Sequence, residues 1–322
     1  MPRALITGIT GQDGSYLSEL LVAGGTEVHG LVLPGDPALD ALKALVPDVV
    51  IHEGDLGSFE SVQEVVAASE PDEIYHLAAA SSVAASWDNP VITSDLNGTG
   101  TVRVLDAARR YGDLVGTSPR VLICSTAEMF GQPKKSPQDE HTPIEPVSPY
   151  GAVKAFAHRM AQLSRSHGQH VSTVILYNHE SPRRPANFVT RKITKSVARI
   201  AKGSAEPLHL GNMSARRDWG FAGDYVKAMV AAQRHDIADE FVIATGQSHS
   251  IEDFVVAAFA AAGISDWREH VAVDEGLLRP NDPADFVGDA SKAKAVLGWE
   301  PEVTFEQLVQ MMVSHDLGDA ES

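Results

Sequence analysis

The chain has little with which to cross-link itself or to hold nucleic acid. A single cysteine, Cys124, occurs in 322 residues, so no disulfide framework can form within the chain. A reducing, cytoplasmic setting is the natural expectation. Cys124 closes the apolar stretch Val121-Leu122-Ile123, where a cysteine serves as a small core residue. No apolar run approaches the roughly 18 residues that a membrane-spanning helix needs. The amino terminus enters an apolar strand directly, without the layout of a signal peptide. Basic residues are scarce too: 26 Lys and Arg stand against 43 Asp and Glu, a formal net charge of −17. A surface of that sign repels phosphate backbones and excludes non-specific nucleic-acid binding. The length allows a sizeable core in one large domain or two lobes.

The cations that are present cluster. Between Arg183 and Arg217 lie nine (Arg183, Arg184, Arg191, Lys192, Lys195, Arg199, Lys202, Arg216, Arg217) against one acid, Glu206. The lysines and Arg199 fit the solvated face of an amphipathic helix over 188–202. The remaining arginines form a local cationic pocket suited to a small phosphorylated ligand. No metal site is expected.

Arg3 to Gly8 reads as a short strand that ends in Gly8-Ile9-Thr10-Gly11-Gln12-Asp13-Gly14, and Tyr16, Leu17, Leu20 and Leu21 give 15–23 a helical period. Glycines in that place let the backbone turn tightly and approach a pyrophosphate, held by the amides and positive dipole end of the helix. Further strands are expected over 27–33, 49–52, 73–77, 121–124 and 172–177, with helices over 58–69, 91–111 and 149–166. Such alternation predicts an α/β fold: a Rossmann-type doubly wound parallel sheet with its ligand beyond the carboxyl ends of the strands. Asp55-Leu56 falls where an adenine would lie, and the small residues after Leu77, beginning Ala78-Ala79, let a ribose pass close to the backbone. Residues 1–177, with about 221–246 returning to them, form the expected dinucleotide-binding domain. Residues 178–220 and 247–322 form a smaller α/β substrate-binding domain, with a loop over 178–185, a helix over 305–314 and disorder over 317–322.

Two stretches carry the chemistry. In Ser148-Pro149-Tyr150-Gly151-Ala152-Val153-Lys154, Ser148 is a helix N-cap and Pro149 the first helical residue. Tyr150 and Lys154 then share a helix face, and an ammonium one turn away lowers a phenol's pKa towards that of a working base. In Ser125-Thr126-Ala127-Glu128, an extended backbone points Thr126 and Glu128 to the same side. A hydroxyl and a carboxylate can then face one substrate.

With these motifs in place the chain resembles the extended short-chain dehydrogenase/reductase family and, within it, the GDP-mannose 4,6-dehydratases. The resemblance rests on the stretches 8–17, 125–131, 148–154, Asn178 to Lys192, Arg217-Asp-Trp-Gly220 and Ser291 to Trp299. It implies a hydro-lyase whose redox steps are internal. Tyr150 would take the 4-hydroxyl proton as hydride leaves carbon 4, Glu128 would remove the carbon 5 proton, water would leave carbon 6, and the hydride would return there; Thr126 would bond the 4-oxygen. It implies cofactor contacts at Gly8, Thr10, Gly11, Gln12, Asp13, Gly14, Asp36, Asp55, Leu56, Leu77, Ala78, Ala79, Tyr150 and Lys154. It implies GDP-sugar contacts at Ser81, Asn178, Glu180, Arg183, Val189, Lys192, Arg217, Arg279 and Asp282. His179 and Glu180 could instead pin their loop, and Arg217 could pair with Asp218.

Three departures shape the expectation. Leu33-Pro34-Gly35-Asp36 replaces the usual arginines that hold a 2′-phosphate, so NAD(H) is favoured over NADP(H), with Asp36 a partner for the 2′-hydroxyl. The same loop is short, which favours a homodimer through the Tyr150 helix and the 91–111 helix over a tetramer. Ala80 stands where a glutamine is common and Asp282 where a glutamate is, so another GDP-sugar such as a GDP-heptose stays open. A GDP-4-keto-6-deoxymannose reductase or epimerase is a rival on the same fold, and a non-catalytic dinucleotide sensor a rival of another class.

Overall fold

The computed structural model describes residues 1–277 and 285–319. In chain order the strands are β1 (Arg3–Thr7), β2 (Glu27–Val32), β3 (Val50–Glu53), β4 (Glu73–His76), β5 (Arg120–Thr126), β6 (Val171–Leu176), β7 (Asn178–Glu180), β8 (Leu208–Leu210), β9 (Arg216–Phe221), β10 (Glu240–Ile243), β11 (Ser248–Ser250), β12 (Val271–Val273) and β13 (Asp285–Phe286). The helices are α1 (Gln12–Ala23), α2 (Leu39–Leu45), α3 (Phe59–Ser69), α4 (Ala85–Asp88), α5 (Pro90–Ser94), α6 (Gly100–Val115), α7 (Pro149–Ser166), α8 (Val189–Ala201), α9 (Ala222–Arg234), α10 (Ile251–Ala261), α11 (Ser291–Leu297) and α12 (Phe305–Asp319).

Seven strands form one sheet in the order β10-β6-β5-β4-β1-β2-β3, every neighbouring pair parallel. Strands covered on both faces need apolar residues at successive positions, not alternate ones, and Val121-Leu122-Ile123-Cys124 is buried throughout. One face packs on α1 and α9 through Leu17, Leu21, Tyr225 and Met229. The other packs on α3 and α6 through Val62, Val65, Val104 and Leu105. Strand order reverses between β1 and β4, which places a crevice at their carboxyl ends. A separate core of Ile193, Val197, Trp219, Phe254, Phe259, Leu308 and Met312 joins α8, β9, α10 and α12.

The structure departs from the sequence reading at several places. α1 begins at Gln12, so the last glycine of the turn lies inside the helix. The helix expected over 91–111 is broken into α5, a π turn at Asp95–Thr99, and α6. The expected loop at 178 starts as β7, which pairs with β9. α2 was not anticipated. Leu317 to Asp319, expected to be disordered, continue α12, tied to α8 by the buried Arg191–Asp316 ion pair and to its C-cap by Lys202, which donates to the Leu317 carbonyl at 3.0 Å.

Candidate functional site

The glycine turn sits at the end of β1 against the exit of β4. Gly8 adopts φ +74°, and a Cβ there would lie 2.7 Å from the Ala78 nitrogen. Only glycine combines that dihedral with that approach. A Cβ on Gly14 would meet the Gly8 carbonyl oxygen at 2.4 Å, so helix and turn are packed backbone to backbone. Gly11 is the N-cap of α1 and brings no side chain to the first-turn amides. This cradle fits a dinucleotide pyrophosphate. The Thr10 hydroxyl donates to Asp36 at 2.8 Å, and Asp36 also accepts from the Ala38 N–H at 2.9 Å, which brings the end of β2 to the turn. Ala78 donates to Thr7 Oγ1 at 3.2 Å and Leu77 to the Thr7 carbonyl at 3.1 Å. Asp55 accepts from the Gly57 N–H at 2.7 Å, and the Leu56 carbonyl accepts from Arg103 at 2.9 Å.

Gln12 and Asp13 turn inward. Gln12 donates to the His179 carbonyl at 3.1 Å and accepts from Ser181 at 2.8 Å, and Asp13 meets His179 Nε2 at 2.8 Å. His179 Nδ1 faces the Tyr177 carbonyl at 2.8 Å. Both ring nitrogens thus face acceptors, which calls for the doubly protonated ring. Burial opposes charge on each partner, yet the pairing prevails: Asp13 is held below the usual carboxylate range and His179 above its ordinary value. The sequence left open whether His179 and Glu180 pin their loop or touch sugar; both pin it. Glu180 is 2% exposed, accepts from Thr190 at 2.6 Å and pairs with Arg184 at 3.3 Å. Arg183 likewise reaches back to α1, forking onto Glu19 at 2.7 and 3.0 Å with its guanidinium 4.0 Å over the Tyr16 ring.

Thr126, Glu128 and Tyr150 come together, though not by the route expected. The chain stays extended only through Thr126, the last residue of β5; Ala127–Phe130 then form a 3-10 turn in which the Glu128 N–H donates to Thr126 Oγ1 at 3.3 Å. Ser148 caps α7 by accepting from the Gly151 N–H at 3.0 Å, with Pro149 in the first turn, as the sequence indicates. A Cβ on Gly151 would fall 2.6 Å from the Glu128 carbonyl oxygen, so this glycine lets α7 lie directly on the Glu128 turn. Ser86 accepts from the Tyr150 N–H at 3.2 Å. The expectation that Lys154 lowers the Tyr150 pKa is corrected. Burial and the Glu128 carboxylate push the phenol up, against the Thr126 hydroxyl bond and the Arg184 cation, which pull it down. Lys154 donates instead to the Cys124 carbonyl, and burial depresses its own pKa.

The cationic run is less of a pocket than its sequence implies. Arg183, Arg184, Arg191, Arg199 and Arg216 each have a carboxylate within ion-pair distance. Lys192, in the first turns of α8, and Lys195 have no such partner among the described residues. Asn178 opens β7 opposite Trp219, the residue after Asp218 on β9. Val189 begins α8, whose N-cap Phe188 leaves the first-turn amides without a side-chain acceptor. Ser81 lines an uncharged cleft of about 460 Å³ with Ala80, Ser82, Thr93, Asn187 and Phe188. Arg279 and Asp282 lie outside the described residues.

Two participants escaped the sequence reading. Arg184 lies 3.7 Å over the Phe188 ring and its charge reaches Tyr150, Asp13 and His179. Asn97, buried in the π turn, uses its carboxamide to accept from the Ala80 N–H at 2.8 Å and donate to the Ala80 carbonyl at 3.0 Å. It thereby fixes the loop leaving β4. Neither carries a local signal: Arg184 was one of many cations, and a π turn has no sequence signature.

A parallel sheet with this strand order, a glycine turn at its switch point and a buried Tyr-x-x-x-Lys define a dinucleotide-binding enzyme of the extended short-chain dehydrogenase/reductase class. The family model described as GDP-mannose 4,6 dehydratase matches residues 5–312. GDP-mannose 4,6 dehydratase 1 of Arabidopsis thaliana is 44% identical over 98% of this chain and 89% of its own. The Homo sapiens GDP-mannose 4,6 dehydratase is 40% identical over 98% and 91%. Among solved structures, Thermus thermophilus UDP-glucose 4-epimerase in complex with NAD is similar with TM-score 0.83 and 28% identity, covering 98% of this chain and 99% of that one. The chain belongs to the GDP-mannose 4,6-dehydratase family.

Proposed function

We propose that this chain converts GDP-mannose to GDP-4-keto-6-deoxymannose and water, and that the convergence of Glu128 on Tyr150 carries the reading. Plain hydride transfer needs only the tyrosine, whereas elimination needs a second, positioned base. The Gly8–Gly14 turn and the first-turn amides of α1 would hold the pyrophosphate of a nicotinamide dinucleotide, which when bound would supply a hydride acceptor for carbon 4 and a hydride donor for carbon 6. Tyr150 accepts the 4-hydroxyl proton, with Thr126 holding the 4-oxygen. The Arg184 cation lowers the cost of a phenolate in a buried site. Glu128 removes the carbon 5 proton made acidic by the new ketone and gives it to the departing 6-hydroxyl, which leaves as water; as hydride reaches carbon 6, the proton taken up by Tyr150 is delivered to carbon 5, so the protons balance and the redox steps cancel. Lys192 and the α8 amides from Val189, with Arg217 and Asn178, hold the GDP. Ser81 lies on the sugar side.

Asp36 favours NAD over NADP, because a carboxylate bonds a ribose 2′-hydroxyl and repels a 2′-phosphate. Residues 1–177 with 221–246 serve as the cofactor domain and the rest binds the GDP-sugar, in a cytoplasmic enzyme. A homodimer covers the exposed apolar face of Trp87, Val91, Ile92, Phe156 and Leu163 on α4, α5 and α7.

The test is purified protein with GDP-mannose, followed by mass spectrometry and by absorbance of reduced nicotinamide. One water should be lost without reduced cofactor accumulating. Glu128→Gln should abolish carbon 5 proton exchange and product while GDP-mannose still binds. If Glu128→Gln turns over normally, or if a 4-keto sugar consumes reduced cofactor while GDP-mannose is untouched, the reductase reading replaces this one.

A further inference from the structure

Asp218 is fully buried, and its carboxylate collects four donors from two segments remote in sequence. One oxygen accepts from the Thr245 N–H at 2.8 Å and the Thr245 hydroxyl at 2.6 Å. The other accepts from the Gly246 N–H at 2.9 Å and the Gly288 N–H at 3.2 Å. Gly246 has φ +78°, so the turn it forms is one that glycine makes readily. A Cβ at Gly288 would fall 2.3 Å from the Ala244 Cβ, so that backbone can approach only because there is no side chain.

The strands being gathered are those around Arg217. Asp218 lies opposite Ser248 on β11, and Arg217 lies opposite Phe286 on β13, with its guanidinium 5.5 Å over that ring. The next residue, Trp219, lies opposite Asn178 on β7. The side chains with catalytic roles are anchored elsewhere, on β5, the 3-10 turn that follows it and α7.

We propose that Asp218 is a positioning residue for the GDP end of the substrate: by closing the 245–246 turn and the 286–288 stretch onto β9, it fixes Arg217 and the strand beside Asn178. This rests on the reading that Arg217 and Asn178 meet the GDP. The carboxylate is required because all four partners are donors. An amide accepts on one atom only and sets its own N–H groups against two of the four.

The measurement is GDP affinity by calorimetry, with KM and kcat for GDP-mannose and the content of bound cofactor. Asp218→Asn should weaken GDP binding and raise KM by about tenfold or more, as leaving buried donors unpaired implies, with kcat and cofactor content near wild type. Thr245→Val removes one donor and should raise KM by roughly threefold; Thr245→Ser should restore it. These two decide the matter if Asp218→Asn does not fold. Wild-type protein that binds no GDP would overturn the substrate reading itself. Wild type that binds GDP, with Asp218→Asn or Thr245→Val binding it equally well, overturns only the role of Asp218. So does a loss confined to kcat and cofactor.

Discussion

Gly14→Ala sets two effects of opposite sign against each other. In a helix interior, alanine is favoured over glycine by about 1 kcal/mol. Gly14 is the third residue of α1, but its missing Cβ would lie 2.4 Å from the Gly8 oxygen, 2.5 Å from the Ile9 Cα and 2.6 Å from the Ile9 oxygen. All three are backbone atoms of the glycine turn, so no rotamer change relieves the clash, and helix and turn must separate by about 1 Å to reach ordinary contact. Overpacking of this kind costs roughly 1–3 kcal/mol, and a purely backbone contact belongs at the upper end. The net expectation is destabilisation by about 1–2 kcal/mol, a fall in Tm of roughly 1.5–3 °C for a chain of this size. The same displacement moves the amides that cradle the pyrophosphate, so cofactor carried through purification should fall as well. Gly100→Ala is the control. Its Cβ would meet only Asp95 O at 3.5 Å and Leu56 Cβ at 3.8 Å, so it should be neutral or stabilise by up to about 1 kcal/mol and leave cofactor content unchanged. Thermal unfolding with chromatographic measurement of bound nucleotide decides. Gly14→Ala protein as stable and as loaded as wild type would refute the reasoning.

Two further predictions concern the ion pair at the turn and the apolar face. Asp13, held below its ordinary 3.8, contributes stability present above that pH and lost as pH falls through its depressed value; His179, raised above 6.5, contributes stability complete below 6.5 and lost as pH rises through its raised value. The Tm difference between wild type and His179→Gln should therefore be largest near about pH 5–6 and shrink as the pH rises above 6.5 through the raised value; a difference independent of pH would show that the pair is not charged. Val91 is 79% exposed on α5, so Val91→Asp should leave the fold intact. It should shift the protein in light scattering from twice the 34.4 kDa chain mass to once; a wild-type monomer, or an unshifted variant, removes that face as the interface.

Features encoded over a few neighbouring residues were legible in the sequence. The alternation of strand and helix, the glycine turn after β1, the Ser148 cap and the helix carrying Tyr150 and Lys154 each follow from local sterics, periodicity and capping, and the structure has them where the residues indicate. So were the return of α9 and β10 to the large sheet and the apolar setting of Cys124. What the sequence left undecided depends on residues far apart in the chain. Gln12 and Asp13 read as ligand groups, but only folding brings His179 and Ser181 onto them. Arg183 and Arg191 read as part of a cationic pocket until α1 supplies Glu19 and α12 supplies Asp316. The effect of Lys154 on Tyr150 was inferred from one helical turn, whereas burial and Glu128 set the phenol's proton affinity and the Cys124 carbonyl takes the ammonium. Spacing shows which groups share a face; which charges are neutralised, desolvated or left facing a ligand is decided by packing, because a buried charge answers to its nearest partner in space and not in sequence.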